Sequence, residues 1–199
     1  MSIKQVISLI SNSDSSVPLG NVTITDPNYG ASIIEGYSVT FNVSWFGGTG
    51  PFTVTLLTDY FGSNSPQTIL SNVVGNSVNI STTAKANVAW YYVRVTDSLG
   101  ASVLSNQIQK PTLWIRAPSV SSYFNNTTKT AFFSASGSGN PAVSYAWYVS
   151  VNGGNYYVYT SSPNWESGQY SPTTTISAYC VTSNSAGSAS SGTVYVPYS

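Results

Sequence analysis

The side chains with the greatest capacity for chemistry in this sequence are six carboxylates: Asp14, Asp26, Glu35, Asp59, Asp97 and Glu166. A glycosidase needs two of them about 5–10 Å apart across a cleft, and a calcium loop needs a closely spaced run of acidic ligands. None of the six lies in such a motif. Three of them (Asp26, Asp59 and Asp97) stand where turns are expected, which Asp favours for its own hydrogen bonding. We therefore predict turn-stabilising carboxylates, with no catalytic residue, metal site or cofactor.

Histidine is absent from the sequence, and cysteine occurs once, at Cys180. Without His the chain lacks the Ser-His-Asp and Cys-His catalytic arrangements, and with one Cys it lacks the ligands of an ordinary zinc site. A single Cys also leaves no partner for an internal disulfide. The composition predicts a fold held by neither metal nor disulfide, and a protein that is not an enzyme.

Charged side chains are scarce: six basic and six acidic residues make up 6% of the chain and cancel to zero net charge. An ordinary soluble domain carries about 25%. Six cations offer no electrostatic footprint for nucleic acid, and no apolar run reaches the ~18 residues of a membrane helix. Ser, Thr and Asn, which do not titrate, supply 74 residues instead. This composition favours an extracellular or acidic setting.

The motif Asn-X-Ser/Thr, which accepts N-linked carbohydrate, occurs five times, at Asn21, Asn42, Asn79, Asn125 and Asn126. A chain this rich in Asn, Ser and Thr produces about three to five such triplets by composition alone. The five residues are therefore candidate glycosylation sites of a surface glycoprotein, and chance is the alternative explanation.

Short alternating runs, punctuated by 16 Gly and 10 Pro, dominate the chain, whereas helix-forming residues are scarce. Residues 37–45 would place Tyr37, Val39, Phe41, Val43 and Trp45 on one face of a strand and small polar residues on the other. Further strands are expected at 52–57, 90–96, 103–108, 130–135, 143–149 and 178–182. The pattern predicts an all-β protein.

The second half of the chain repeats the scheme of the first. The turn residues 47–51 match 137–141, and residues 93–100 match 178–187, at a spacing of about 86 to 90 residues. Pro111 removes a backbone donor and should end a strand. We therefore predict an N-terminal strand and linker at 1–16, one sandwich at 17–110 and a second at 111–199.

The second half resembles an immunoglobulin-like domain through Tyr-Ala-Trp-Tyr at 145–148 and through 178–187, which is similar to the Tyr-x-Cys-x-x-x-Asn-x-x-Gly ending of such domains, with the Tyr displaced by one residue. The first half resembles the related PKD-like sandwiches through 39–45, 48–51 and 92–100. These runs imply two tandem immunoglobulin-like β-sandwiches. The early strand has Phe132 and Phe133 where an antibody-type domain has its partner Cys, so that disulfide is excluded.

The face on which Cys180 lies depends on register. If Val93 and Val95 point inward and are matched by Tyr179 and Val181, Cys180 points to the other face. If the immunoglobulin pattern holds, Cys180 is buried. A lone Cys is usually a small buried hydrophobic residue, which favours burial over pairing between molecules.

Aromatic residues cluster between two predicted strands of the second half, at Tyr156, Tyr157, Tyr159, Trp165 and Tyr170. Exposed aromatic groups bind sugars or partner surfaces, which makes these five candidate contact residues. The alternative is that they fill strand faces and corners, since Tyr is an ordinary strand former.

Residues 2–10 carry the apolar side chains Ile3, Val6, Ile7, Leu9 and Ile10, and are too short for a signal peptide. As a strand they have apolar groups on both faces, which suits a strand buried within a sandwich. We predict that these five residues contact a neighbouring subunit as an added strand, with 11–16 as a tether. The alternative is that they form the first strand of their own domain.

Composition and layout together resemble surface proteins of thermoacidophilic archaea, including tandem-sandwich subunits of their non-motile cell-surface filaments, in which an N-terminal strand completes the next subunit. The resemblance implies a non-enzymatic, extracellular homopolymer with an adhesive or cell-contact role, whose further partners are surface glycans or other cells. The alternatives are a structural protein of an archaeal virus particle, which the missing signal peptide favours, and a carbohydrate-binding module.

Overall fold

Every regular element in the part of the chain that the structure describes is a β-strand. The computed structural model of the protein describes residues 17–28, 30–59, 65–169 and 173–197. Within these ranges no helix is long and apolar enough to cross a membrane. Contacts divide the chain between Pro111 and Thr112 into two compact parts, here called the first unit and the second unit.

The first unit is built from strands whose apolar residues alternate with hydroxyl and amide residues. In order they are β1 (Gly20–Thr25), β2 (Ile33–Ile34), β3 (Ser38–Phe46), β4 (Phe52–Thr58), β5 (Ser65–Val73), β6 (Ser77–Thr83), β7 (Trp90–Thr96), β8 (Ser102–Leu104) and β9 (Ile108–Gln109).

Two antiparallel sheets form this unit. One has the order β1-β3-β6, and the other has the order β5-β4-β7-β8, with β9 also paired to β7. Val39, Phe41, Val43 and Trp45 of β3 are all buried. They join the buried residues of β4 and β7 in one apolar core, which is the packing expected of a sandwich.

One residue of the predicted inward face of β3 lies outside the core. Tyr37 is 65% exposed, because a turn at Glu35 and Gly36 precedes the strand, which begins at Ser38. Gly36 has a positive φ of 89°, a conformation that non-glycine residues adopt at a cost. The alternation therefore identified the strand correctly and placed its start one residue early.

The second unit has the strands β10 (Thr112–Ile115), β11 (Ser119–Asn125), β12 (Thr130–Ser136), β13 (Gly139–Asn140), β14 (Ser144–Val151), β15 (Tyr157–Thr160), β16 (Asn164–Glu166), β17 (Thr175–Asn184), β18 (Gly187–Ser190) and β19 (Val194–Pro197). One sheet has the order β11-β12-β16, and the other has the order β15-β14-β17-β18, with β19 also paired to β17. The short strands β10 and β13 pair with each other.

The two units therefore share one topology, that of tandem immunoglobulin-like β-sandwiches. Each has a three-stranded sheet facing a larger sheet whose last strand is split in two. The core of the second unit centres on Phe133, Trp147 and Ile176, and the Phe133 and Trp147 rings pack edge to face at 5.9 Å, a favourable aromatic geometry.

A serine splits the last strand of each unit at the same place. Ser105 Oγ accepts a hydrogen bond from Val93 N, and Ser191 Oγ accepts one from Cys180 N, both at 2.9 Å. In each case the serine N–H donates back to the carbonyl of that same residue. The strand predicted at 103–108 is therefore interrupted, because a side-chain hydroxyl replaces one bond of the backbone ladder.

This serine contact decides the register of Cys180. It makes Cys180 equivalent to Val93, an offset of 87 residues, and Thr182 equivalent to Val95. Both Val93 and Cys180 are fully buried. The alternative in which Tyr179 and Val181 match the two inward valines is wrong, because it shifts the strand by one residue and exchanges its faces.

The turn before the last strand is anchored in both units by the equivalent side chain. Asp97 Oδ1 accepts hydrogen bonds from Leu99 N at 3.0 Å and Ala101 N at 2.9 Å, and Asn184 Oδ1 accepts one from Ala186 N at 2.8 Å. Each side chain also bonds to a second turn: Asp97 Oδ2 accepts a hydrogen bond from Thr49 N at 3.3 Å, and Asn184 Nδ2 donates one to Pro141 O at 2.7 Å. These second turns contain the cis peptides Gly50-Pro51 and Asn140-Pro141.

A buried ion pair joins the residue that follows β1 to the residue that follows β9. Lys110 Nζ lies 2.5 Å from Asp26 Oδ2, with side chains 5% and 1% exposed. Asp26 Oδ1 also accepts a hydrogen bond from Asn28 N, and Lys110 Nζ donates to Asn28 O. Removing one partner of such a pair leaves an uncompensated buried charge, which is more costly than losing the pair itself.

We expect Lys110→Met to lower the free energy of unfolding by about 3–5 kcal/mol, since it leaves the Asp26 carboxylate buried without its cation. The double variant Asp26→Asn/Lys110→Met should recover part of the loss, because the introduced carboxamide has no charge and still has an oxygen for Asn28 N. Denaturant titration of both variants checks this. Equal stability of the single and double variants would contradict it.

Cys180 provides a second prediction, on pH dependence. Burial raises the pKa of its thiol above the ordinary value of 9.0, partly offset by a hydrogen bond to the Ala146 backbone. The folded protein therefore retains a proton that the unfolded chain loses, and this contribution to stability is present below about pH 8 and declines above pH 9. Melting temperatures measured from pH 7 to 10 should fall more steeply for the wild type than for Cys180→Val.

The same burial should protect the native thiol from alkylation, because the thiolate is the reactive form. Maleimide should label Cys180 at a rate limited by unfolding. If the native protein were labelled as fast as an unfolded peptide, the Cys180 thiol would not be buried.

Candidate contact surface

Asp26, Asp59 and Asp97 hold backbone turns, as predicted, and Glu35 does so as well. Asp59 Oδ1 accepts hydrogen bonds from Ala89 N and Trp90 N at 3.0 Å each, Glu35 Oε1 accepts one from Ala86 N at 3.3 Å, and Asp26 and Asp97 do the same in their own turns. Asp14 lies outside the described residues. Across the described ranges no three His, Cys, Asp or Glu side chains lie close enough to hold a metal ion.

The aromatic candidates of the second unit divide between two surfaces. Tyr157 and Tyr159 lie on β15, the edge strand of the larger sheet, and are 47% and 42% exposed. Tyr156 precedes that strand, and Trp165 lies on β16, the edge strand of the smaller sheet. Tyr170 lies outside the described residues.

Three rings join the two edge strands along one side of the sandwich. The Tyr159 ring lies 4.4 Å from the Trp165 ring, which in turn stacks on Phe133 at 4.2 Å and 7°. Trp165 also packs edge to face with Trp147 at 6.1 Å. Trp165 is therefore part of the packing between the sheets, as the alternative explanation of the aromatic cluster held, whereas Tyr157 and Tyr159 remain accessible.

A second aromatic surface covers the outer side of the larger sheet. Tyr148 and Tyr179 are paired across β14 and β17 and their rings stack at 5.0 Å and 2°. Tyr156 packs against Tyr179 at 5.1 Å and its hydroxyl donates to Ser177 Oγ at 3.1 Å. Val158 and Tyr195 extend this surface and are 61% and 68% exposed. We call these residues the tyrosine face; they are Tyr148, Tyr156, Val158, Tyr179 and Tyr195.

Sequence reasoning found one tyrosine of that face, Tyr156, and missed the other three. A signal was present, since Tyr148 and Tyr179 each stand between inward-facing residues of a strand and so point outward. Their pairing needs the register of β14 on β17, which the sequence does not give.

Strand β15 leaves its outer edge open. Within the described residues it pairs with β14 alone. Its side chains carry no charge, and aromatic or aliphatic groups lie on both sides: Tyr157 and Tyr159 lie on the side of the Trp165 ring, and Val158 lies on the tyrosine face. An exposed, uncharged edge of this kind is a template for another strand.

The five glycosylation candidates all lie on the smaller sheets or in the turn next to one. Asn21, Asn42 and Asn79 are exposed on β1, β3 and β6, Asn125 ends β11, and Asn126 follows it in the turn to β12. The subunit-contact candidates Ile3, Val6, Ile7, Leu9 and Ile10 lie outside the described residues.

No protein-family model matches this chain, and no curated protein matches it. Among solved structures, the amphioxus IgVJ-C2 molecule is similar over 84% of this chain and 99% of its own, with 12% identity and a TM-score of 0.42. The fibronectin(III)-like modules of Clostridium thermocellum CbhA are similar over 88% of this chain and 91% of theirs, with 15% identity and a TM-score of 0.35.

The two kinds of aromatic residue should respond differently to substitution. Trp165→Ala removes the ring that joins Tyr159 to Phe133 and should lower the free energy of unfolding by about 3 kcal/mol. Tyr157→Ala removes a half-exposed ring at the sheet edge and should lower the free energy of unfolding by under about 1 kcal/mol. Thermal and urea unfolding of the two variants checks this, and a loss at Tyr157 as large as that at Trp165 would show that Tyr157 is structural.

Proposed function

We propose that this protein is a non-enzymatic structural subunit of an extracellular archaeal surface filament, with an adhesive or cell-contact role. In this proposal residues 2–10 of one copy add to the edge of β15 in the next copy, and 11–16 link the two. The single observation that carries it is the match between an open, uncharged sheet edge with aromatic or aliphatic groups on both sides and a segment of the same chain with apolar residues on both faces.

The chemistry of strand addition supports this pairing. An added strand forms a ladder of backbone hydrogen bonds along the edge and inserts alternate side chains into the surfaces on either side. On β15 one set would meet Tyr159 and Trp165, and the other would meet Val158 and the tyrosine face. Each apolar side chain buried in this way contributes about 1.5–3 kcal/mol, and residues 2–10 contain five of them.

The surface composition supports an extracellular structural role. Hydroxyl and amide groups do not change charge with pH, so a sheet face built from Ser, Thr and Asn remains hydrated where carboxylates are neutral. Four carboxylates already accept backbone hydrogen bonds in turns and so have a structural role: Asp26, Glu35, Asp59 and Asp97. The tyrosine face offers rigid, amphipathic side chains of the kind that protein contacts use.

Deletion of residues 1–12 tests the donor side. The truncated protein should stay folded, since both cores, as far as the described residues show them, are formed by later residues, yet should fail to polymerise. Electron microscopy and sedimentation of full-length and truncated protein report the difference. Filaments from the truncated protein, or full-length material that is only ever monomeric, would show that strand exchange is wrong.

The acceptor side is tested by Val158→Lys, because a charge on an edge strand opposes the addition of another strand. Val158 is 61% exposed, so the monomer should tolerate lysine. The matched control is Ile69→Lys, at a 59% exposed position on β5, which is the corresponding edge strand of the first unit. Polymerisation should be lost in the first variant and retained in the second; the reverse result would identify β5 as the acceptor and exclude β15.

A further inference from the structure

The five Asn-X-Ser/Thr motifs are confined to one type of sheet. All lie on the three-stranded sheets β1-β3-β6 and β11-β12-β16 or in the turn after β11, and none lies on the larger sheet of either unit. In a strand, residues two apart point to the same side. The three motifs within strands, at Asn21, Asn42 and Asn79, therefore place the Asn and its hydroxyl residue together on the solvent side, whereas the motifs at Asn125 and Asn126 run into the turn.

The four positions that lie on strands differ in how well they accommodate a sugar. Asn42 lies directly opposite Asn79 on neighbouring strands, so carbohydrate on one crowds the other. Asn21 is at a register irregularity of β1, with a positive φ of 49°. Asn125 is different, because it ends an edge strand and begins an exposed turn.

The amide of Asn125 is already oriented for modification. Its Oδ1 accepts hydrogen bonds from Thr127 N at 2.9 Å and Thr128 N at 3.3 Å. These contacts fix the carboxamide plane and leave Nδ2, the atom to which N-linked carbohydrate is attached, without a hydrogen-bond partner among the described residues.

An aromatic platform lies next to this amide on the same outer face. Tyr123, two residues before Asn125, is 60% exposed and stacks on Phe132 with ring centres 4.7 Å apart and an interplanar angle of 7°. Strand pairing places Tyr123, Phe132 and Glu166 side by side in one row across the sheet. It places Ser121, Ser134 and Asn164 in the next row. Together with Phe133 and Trp165, the two rows line a cleft of about 360 Å³.

The groups that line the cleft select a neutral sugar. A pyranose ring has a face of C–H groups, which suits an exposed aromatic ring, and a rim of hydroxyls, which suits hydroxyl, amide and carboxylate groups. The only charged side chain in the lining is Glu166, which disfavours an anionic sugar. Asn125 and Tyr123 are separated by about 6.8 Å along the strand, close to the span of one sugar ring.

We propose that Asn125 is an N-glycosylation site whose first sugar packs on Tyr123 and covers the Tyr123 and Phe132 rings. The donor is a glycan activated as a lipid-linked phosphate ester. A bond forms between Asn125 Nδ2 and C1 of the sugar, the C1–O bond to phosphate breaks, the phosphate leaves with the electron pair, and Nδ2 loses one proton. The inference does not rest on filament assembly, since every group it uses lies in one unit of one copy.

The test uses full-length protein secreted from yeast, which attaches N-acetylglucosamine-based glycans, in an Asn126→Gln background that leaves the Asn125 motif intact. Glycopeptide mass spectrometry should find Asn125 occupied. Thr127→Ala, which removes the motif but keeps the Asn125 carboxamide and its two backbone hydrogen bonds, should then lower the melting temperature by about 4 °C. With Tyr123→Ser the same Thr127 change should lower it by less than about 1 °C, because the sugar no longer has an aromatic ring to pack on.

The double-mutant comparison separates packing on Tyr123 from a general effect of carbohydrate. Tyr37→Ser, at a 65% exposed tyrosine of the first unit, is the matched control and should leave the effect of Thr127→Ala unchanged. Unmodified Asn125 alongside modified Asn42 or Asn79 would overturn the site. Equal effects of Thr127→Ala with and without the Tyr123 ring would overturn the packing on the platform. Neither result depends on whether the protein polymerises.

Discussion

Packing of one side of each central strand against the opposite sheet is the constraint on which both units depend. Val43 and Trp45 in the first unit, and Phe133 and Trp147 in the second, can be buried only if their strands keep one register, because a shift of one residue would exchange the two faces. The serine contacts at Ser105 and Ser191 act on the same register, since each joins the last strand to a fully buried position of its neighbour.

Charged side chains have few structural roles in a fold held by cores of this kind. Of the few charged groups, Asp26 and Lys110 are buried together, and Asp59 and Asp97 orient turns by accepting backbone N–H bonds. The rest of the surface is hydrated by hydroxyl and amide groups. Such a surface does not depend on the ionisation of carboxylates, which is the physical basis for proposing an extracellular or acidic setting.

The two outer faces of the second unit have different chemistry, although both are sheets of the same sandwich. The larger sheet presents the tyrosine face and ends at the open edge of β15. The smaller sheet presents hydroxyl and amide groups around the single aromatic pair of Tyr123 and Phe132, next to Asn125. In the two proposals made above, the larger sheet contacts protein and the smaller sheet carries carbohydrate.

The sequence by itself determined the all-β class, the tandem repeat, the inward face of β3 from Val39 to Trp45 and the turn roles of Asp26, Asp59 and Asp97. These depend on alternation and turn chemistry, which are local. Only the tertiary structure decided that Cys180 is equivalent to Val93, that Trp165 belongs to the packing while Tyr157 remains accessible, that Tyr148 meets Tyr179, and that Lys110 reaches Asp26 across 84 residues. Each of these depends on which residues stand opposite one another on neighbouring strands or at distant ends of the chain, and alternation along one strand carries no information about that pairing.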